Sequence, residues 1–125
     1  MPRTRSEATT AERARYLEAG VEAQAALHVA IRLLKTRQAL TADPDESRLI
    51  LVHLLDLEAD ASKVQADLIA FIAEQRPIEP PTADDLAQIK AAARELDQLT
   101  ADAATAGVIL GVATTILTKW EATRA

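Results

Sequence analysis

No cysteine occurs anywhere in the chain, which excludes disulfide frameworks, cysteine zinc sites, iron–sulfur clusters and thiol nucleophiles. Aromatic residues are almost as scarce, being limited to Tyr16, Phe71 and Trp120. So few rings provide no platform on which single-stranded bases could stack. A net charge of -5 also denies a phosphate backbone the basic field it needs, so nucleic acid is not expected as a partner. Glycine is confined to Gly20, Gly107 and Gly111, and neither a glycine-rich phosphate loop nor a dinucleotide fingerprint can be built from them. No Ser-His-Asp set and no HExxH or ExxH metal motif is present. The opening residues MPRTRSEATT carry arginines with no apolar stretch behind them, so no secretory signal is read and the cytoplasm is the default compartment.

A long hydrophobic run is missing too. The longest uncharged apolar stretch, AATAGVILGVATTIL from Ala103 to Leu117, falls short of the ~20 residues of an ordinary membrane span and suits a buried core helix. Within it Gly107 and Gly111 form a G-x-x-x-G pair, and Ala103 and Thr115 extend the small-residue strip on which another helix could rest.

What the chain does contain is alanine and leucine in helical periodicity, which defines an all-α protein. At 125 residues it holds one domain's worth of material. Residues 1–8 are polar and basic with nothing to bury and are expected to form a flexible N-terminus, with a single helical-bundle domain over 9–125. Thr9 and Glu12 fit a capping box, so helix 1 is expected over about 10–40. Leu17, Val21, Gln24, His28, Ile31 and Lys35 mark a heptad line on it, widened by Ala23, Leu27, Ala30 and Leu34. Asp43 before Pro44 is an N-cap followed by proline at the first helical position, which opens helix 2 over about 44–76. Its seam runs Ile50, Leu54, Leu57, Ala61, Val64, Leu68, Phe71. Leu49, Leu51, Val52 and Leu55 lie off that seam, so the first half of the helix must be covered on more than one side. Pro77, Pro80 and Pro81 form a stiff linker.

Thr82 and Asp85 cap helix 3, whose heptad register continues from Leu86 through Ile89, Ala93, Leu96, Thr100, Ala103, Gly107, Leu110 and Thr114 to Leu117. One long helix over about 83–122 is therefore expected. The alternative is a break near residues 100–102 that gives a fourth helix. Short connections make consecutive helices antiparallel, so the expected architecture is an antiparallel three-helix bundle. An unbroken helix 3 would be roughly 60 Å long against roughly 48 Å for helix 2, leaving its C-terminal end as uncovered apolar surface. Residues 21–44 carry three basic and two acidic groups and residues 45–80 three basic and eight acidic, so helices 1 and 2 should attract.

His28 and His53 are the only histidines and fall about a turn apart in this arrangement, with Asp56 and Glu58 nearby. That is no ligand set, and Gln24 with His28 reads better as a polar core contact that fixes helix register. The acidic pairs Glu58 with Asp60 and Asp84 with Asp85 sit on a solvent face or at a helix start, where carboxylates suit the macrodipole without any catalysis.

The sequence thus describes a non-enzymatic helical interaction or assembly module with no catalytic residues, metal or cofactor. Its expected interaction surface comprises Leu51, Leu55, Gly107, Ile109, Gly111, Val112, Ile116 and Trp120. This surface would meet a second copy of the chain, as a homo-oligomer, or another helical protein. The alternative is a membrane-active protein that uses residues 103–120 as a lipid-binding or pore-forming element. Trp120 beside Lys119 and the nearby Arg32, Lys35, Arg37, Arg48 and Arg124 favour a membrane surface, whereas Asp43, Asp45 and Glu46 would repel anionic lipid.

Overall fold

The computed structural model describes residues 1–125. The protein is all-helical, with four helices: α1 (Thr10–Leu40), α2 (Pro44–Ile72), α3 (Ala83–Gln98) and α4 (Ala106–Glu121). Each start is chemically explicit. Thr9 Oγ accepts from the Glu12 amide at 3.1 Å while the Glu12 carboxylate accepts from the Thr9 amide at 2.8 Å, and Thr82 with Asp85 repeats the box at α3. Asp43 accepts from the Asp45 amide at 2.9 Å ahead of Pro44.

The chain runs up, down, up and down. Arg15 at the start of α1 donates to the Pro81 carbonyl just before α3, and Glu18 pairs with Lys90, so α1 and α3 run together. Trp120 near the end of α4 bonds Asp67 near the end of α2, so these two run back together. α1 touches all three other helices, α4 rests against α1 and α3 with a small contact to α2, and α2 and α3 do not meet. α2 is thus packed mainly on α1.

Why α1 can serve three neighbours is written in its side chains. Its buried residues are Tyr16, Ala19, Gly20, Ala23, Ala26, Leu27, Ala30, Ile31 and Leu34, and the alanines among them let helix backbones approach closely. This differs from the heptad line read in the sequence. Of that line only Ile31 is buried, while Val21, His28 and Lys35 are exposed and Leu17 and Gln24 half-buried. Weakly apolar alanines define the core arc, and the larger valine lies outside it.

The expected single helix 3 is two helices, so the bundle has four helices rather than three. Leu99 is extended at the end of α3, the Thr100 carbonyl accepts from the Ala103 and Ala104 amides at 3.2 and 2.8 Å, and Thr105 caps α4 by accepting from the Val108 amide at 3.4 Å. Turning there lets the apolar stretch fold back along α1, burying Ala106, Ile109, Val112, Ala113, Ile116 and Trp120. The turn also resets the face: Ala103, Gly107 and Thr114 of the continuous register are exposed. α2 ends at Ile72, four residues before the expected stop, in a 6→1 and 5→2 termination in which Gln75 donates to the Ala70 carbonyl and Glu74 to the Phe71 carbonyl. Glu74 carries φ 58, a left-handed conformation usually given to glycine.

Residues 1–8 are tied down at several points. Arg3 and Ile78 exchange backbone hydrogen bonds of 2.7 and 2.8 Å, the Met1 amino group donates to the Glu79 carboxylate at 3.1 Å, and Ala8 and Ile78 are buried. The Ser6 amide and hydroxyl both donate to the Glu74 carboxylate.

Candidate interaction surface

The most distinctive surface lies on α2. Its expected seam, from Ile50 to Phe71, is buried or half-buried against the rest of the chain. On nearly the opposite side runs a second series with the same alternating spacing: Val52, Leu55, Ala59, Ser62, Ala66, Ile69 and Ala73, every one of them exposed. At 100° per residue these positions fall within one arc, and Leu51 borders it. Leu51 and Val52 are 60% exposed, Leu55 74% and Ile69 58%. Scattered apolar residues on a surface are ordinary, but a continuous helical stripe carrying a single polar residue, Ser62, is not.

The flanks of the stripe are charged. Asp56 and Lys63 lie along one edge, both exposed and in no ion pair within the chain. Glu58 and Gln65 lie along the other, where Glu58 pairs with Lys35 at 3.2 Å and Gln65 accepts from Gln24 at 3.3 Å. One edge is therefore occupied within the chain and the other is free.

The surface expected from the sequence is divided. Leu51 and Leu55 are exposed on α2, and Gly107 and Gly111 are exposed on α4, with no heavy atom closer than 4.0 Å to where a Cβ would sit on either glycine. Ile109, Val112, Ile116 and Trp120 are buried in the core, so they form no surface in this structure. The overhang expected for these residues disappears because the turn at residues 99–105 lays α4 along α1. The expected polar core contact is also divided: Gln24 bonds Gln65 across the α1–α2 interface from a half-buried position, whereas His28 is exposed. The α2 residues missed in the sequence, Ala59, Ser62, Ala66 and Ile69, were readable as a second seam. Counting in steps of three and four from Val52 finds them, but alanine and serine carry little weight in a hydropathy pattern.

Two polar clusters position the frame. At one end all three aromatics meet: Tyr16 lies 4.7 Å from Phe71 and stacks on Trp120 at 4.9 Å between ring centres. Trp120 Nε1 donates to Asp67 at 2.9 Å, and Arg124 Nε donates to the same oxygen at 3.0 Å. A cleft of about 230 Å³ opens beside them, bordered by Tyr16, Asp67, Arg76, Pro77, Ile78, Thr123 and Arg124. Burial, and secondarily the Asp67 carboxylate, hold the Tyr16 phenol far above its usual range. At the other end Arg37 Nε donates to Glu46 at 2.6 Å and its Nη1 donates to the Ala101 and Asp102 carbonyls at 3.3 and 3.0 Å. Glu46 in turn accepts from the Ala106 amide at 3.2 Å. The Thr41 hydroxyl first, then Arg37 and the Ala106 amide, hold the Glu46 carboxyl below its ordinary range. Asp85 and Asp102 are lowered chiefly by hydrogen bonds from Thr82 and Thr100 respectively. These shifts arise at caps and at a structural junction.

No group of three or more metal-binding side chains is assembled, and His28 and His53 join no such group. No helix is long and apolar enough to cross a membrane. Comparison with protein families, curated proteins and solved structures finds no match.

Proposed function

We propose that the protein is a non-enzymatic helical interaction module whose binding surface is the outer face of α2, and that its partner there is an amphipathic helix with its own apolar heptad seam. The observation that carries this reading is the second seam itself. A helix needs one apolar stripe to join a bundle. α2 uses Ile50 through Phe71 for that task and repeats the spacing, unmatched, on its far side. Heptad stripes are the sequence form of helix-in-groove and coiled-coil contacts, in which knobs at alternating steps of three and four enter holes on a facing helix. The loss of Ile109, Val112, Ile116 and Trp120 to the core moves the proposed surface from the expected bundle end to the side of α2.

The test is a photo-cross-linking residue placed at Leu55, with the same probe at exposed Glu95 on α3 as the comparison. The expected result is a discrete protein adduct from position 55, in the purified chain or in native extract, that is lost when Ile69 is changed to Glu. If position 55 gives no adduct beyond that of position 95 in either setting, the outer face of α2 is not a binding surface.

A further inference from the structure

We infer that the helix received by the outer face of α2 is α2 of a second copy, lying antiparallel, so that the assembled unit is a symmetric dimer. This rests on the interaction reading above and adds the identity and direction of the partner. Asp56 and Lys63 lie on the same edge of the exposed stripe, are opposite in sign, and have no ion-pair partner within the chain. An antiparallel copy whose two-fold axis passes between Ala59 and Ser62 sets Asp56 opposite Lys63 of the partner subunit. By symmetry it also sets Lys63 opposite Asp56 of the partner subunit, so each unsatisfied group gains a partner in the assembly.

The apolar layers agree with that register. Val52 meets the partner's Ile69, Leu55 meets the partner's Ala66, and Ala59 meets the partner's Ser62. Each large Leu55 thus faces a small residue, and the smallest side chains fall at the centre, where the helices approach most closely. On the other edge Leu51 falls near the partner's Ile72, and both residues are exposed in the single chain. A parallel pairing is poorer on both counts. It stacks Leu55 on itself and leaves three successive layers of Ala59, Ser62 and Ala66 pairs. It also places Lys63 against the partner's Glu58, whose equivalent in this chain is already held by Lys35 at 3.2 Å.

The register makes a charge-exchange experiment decisive. Mass in solution is measured by light scattering across a concentration series for the full chain, with circular dichroism as the check on folding. The wild type is expected at twice the chain mass. Lys63→Glu turns both edge pairs repulsive and should raise the dimer dissociation constant at least about tenfold. The exchange variant, Asp56→Lys with Lys63→Asp, regenerates both pairs and should return the constant to within about threefold of wild type. In a parallel dimer that variant would set the new carboxylate at position 63 against Glu58 and stay weak, which overturns the antiparallel assignment. Orientation has an independent readout in this cysteine-free chain. Mixing Leu55→Cys with Ala66→Cys should give mixed disulfides on mild oxidation, and Leu55→Cys alone should give few. The opposite pattern also overturns the proposal. A wild type that is monomeric at every concentration, while position 55 still cross-links to a different protein, ends the dimer and leaves the interaction reading standing. Absence of both ends both.

Discussion

Asp67 does more than its single carboxylate suggests, because it gathers Trp120 and Arg124 on one oxygen, with Arg76 3.8 Å from the other, beside the ring of Tyr16. Replacing it by Ala leaves the indole N–H of a buried tryptophan without an acceptor, which should cost about 1–3 kcal/mol in urea unfolding, and Asp67→Asn should recover part of that loss. If Asp67→Ala unfolds at the wild-type urea midpoint, the indole bond contributes nothing to the fold. Gly20 marks a different constraint. A Cβ there would sit 2.5 Å from Leu68 Cδ2, so Gly20→Ala trades a gain of roughly 1 kcal/mol in helix propensity against crowding that costs about 1–3 kcal/mol. The substitution should be destabilising in the wild type and stabilising in a Leu68→Ala background, and the sign reversal in a double-mutant cycle is the check. Gly111 is the opposite case, with nothing within 4 Å of the site of its Cβ, and Gly111→Ala should stabilise by about 0.5–1 kcal/mol. The three glycines look alike in sequence, and only the packing around each separates them.

At the level of helices, the junction of α1, α2 and the α3–α4 turn is stapled by Arg37 and Glu46, and it gives stability a pH dependence of fixed sign. The Glu46 carboxyl is held below its ordinary range when folded, so as the solution is acidified the unfolded chain takes up this proton first. The contribution of the staple is therefore complete above the ordinary glutamate range and is lost as pH falls through the folded value. Urea midpoints should hold between about pH 7 and about pH 5 and decline from there toward about pH 3. Glu46→Gln should start lower at neutral pH and show a shallower decline; an unchanged slope would mean that the junction does not sense protonation. Arg37→Lys should not substitute, since one ammonium cannot reproduce the planar fork that reaches a carboxylate and two carbonyls. Helix starts were legible from local chemistry: Thr9, Asp43 and Thr82 declare themselves as caps with partners two or three residues away. The α3–α4 break was visible only as an alternative, because Leu96, Thr100 and Ala103 keep register through it. What decides the break is long-range, namely the apolar area α4 covers by folding back on α1. The candidate surface was half legible for the same reason. Leu51 and Leu55 stood out as surplus, but whether α4 or solvent would meet them depends on which helices touch, and α2 makes only a small contact with α4.

Across the whole molecule, α1 is the common neighbour and α2 the flank that remains open, so the interior is complete while one outer face repeats the pattern of an interior. If that face closes on a second copy, thermal stability must depend on protein concentration. The melting temperature should rise over a hundredfold dilution series read from dilute to concentrated, and Lys63→Glu should show that rise only at concentrations about tenfold higher. The gathering of Tyr16, Phe71 and Trp120 at one end has a consequence of another kind. Every intrinsic chromophore of the near ultraviolet reports from that end, while the opposite end, where Leu34, Ile50 and Ile109 are buried, is optically silent. Fluorescence therefore follows the loss of one pole of the bundle, whereas peptide absorption follows all four helices at once. Coincident curves would mark a single cooperative unit, and a gap between them would measure how far the silent pole opens on its own.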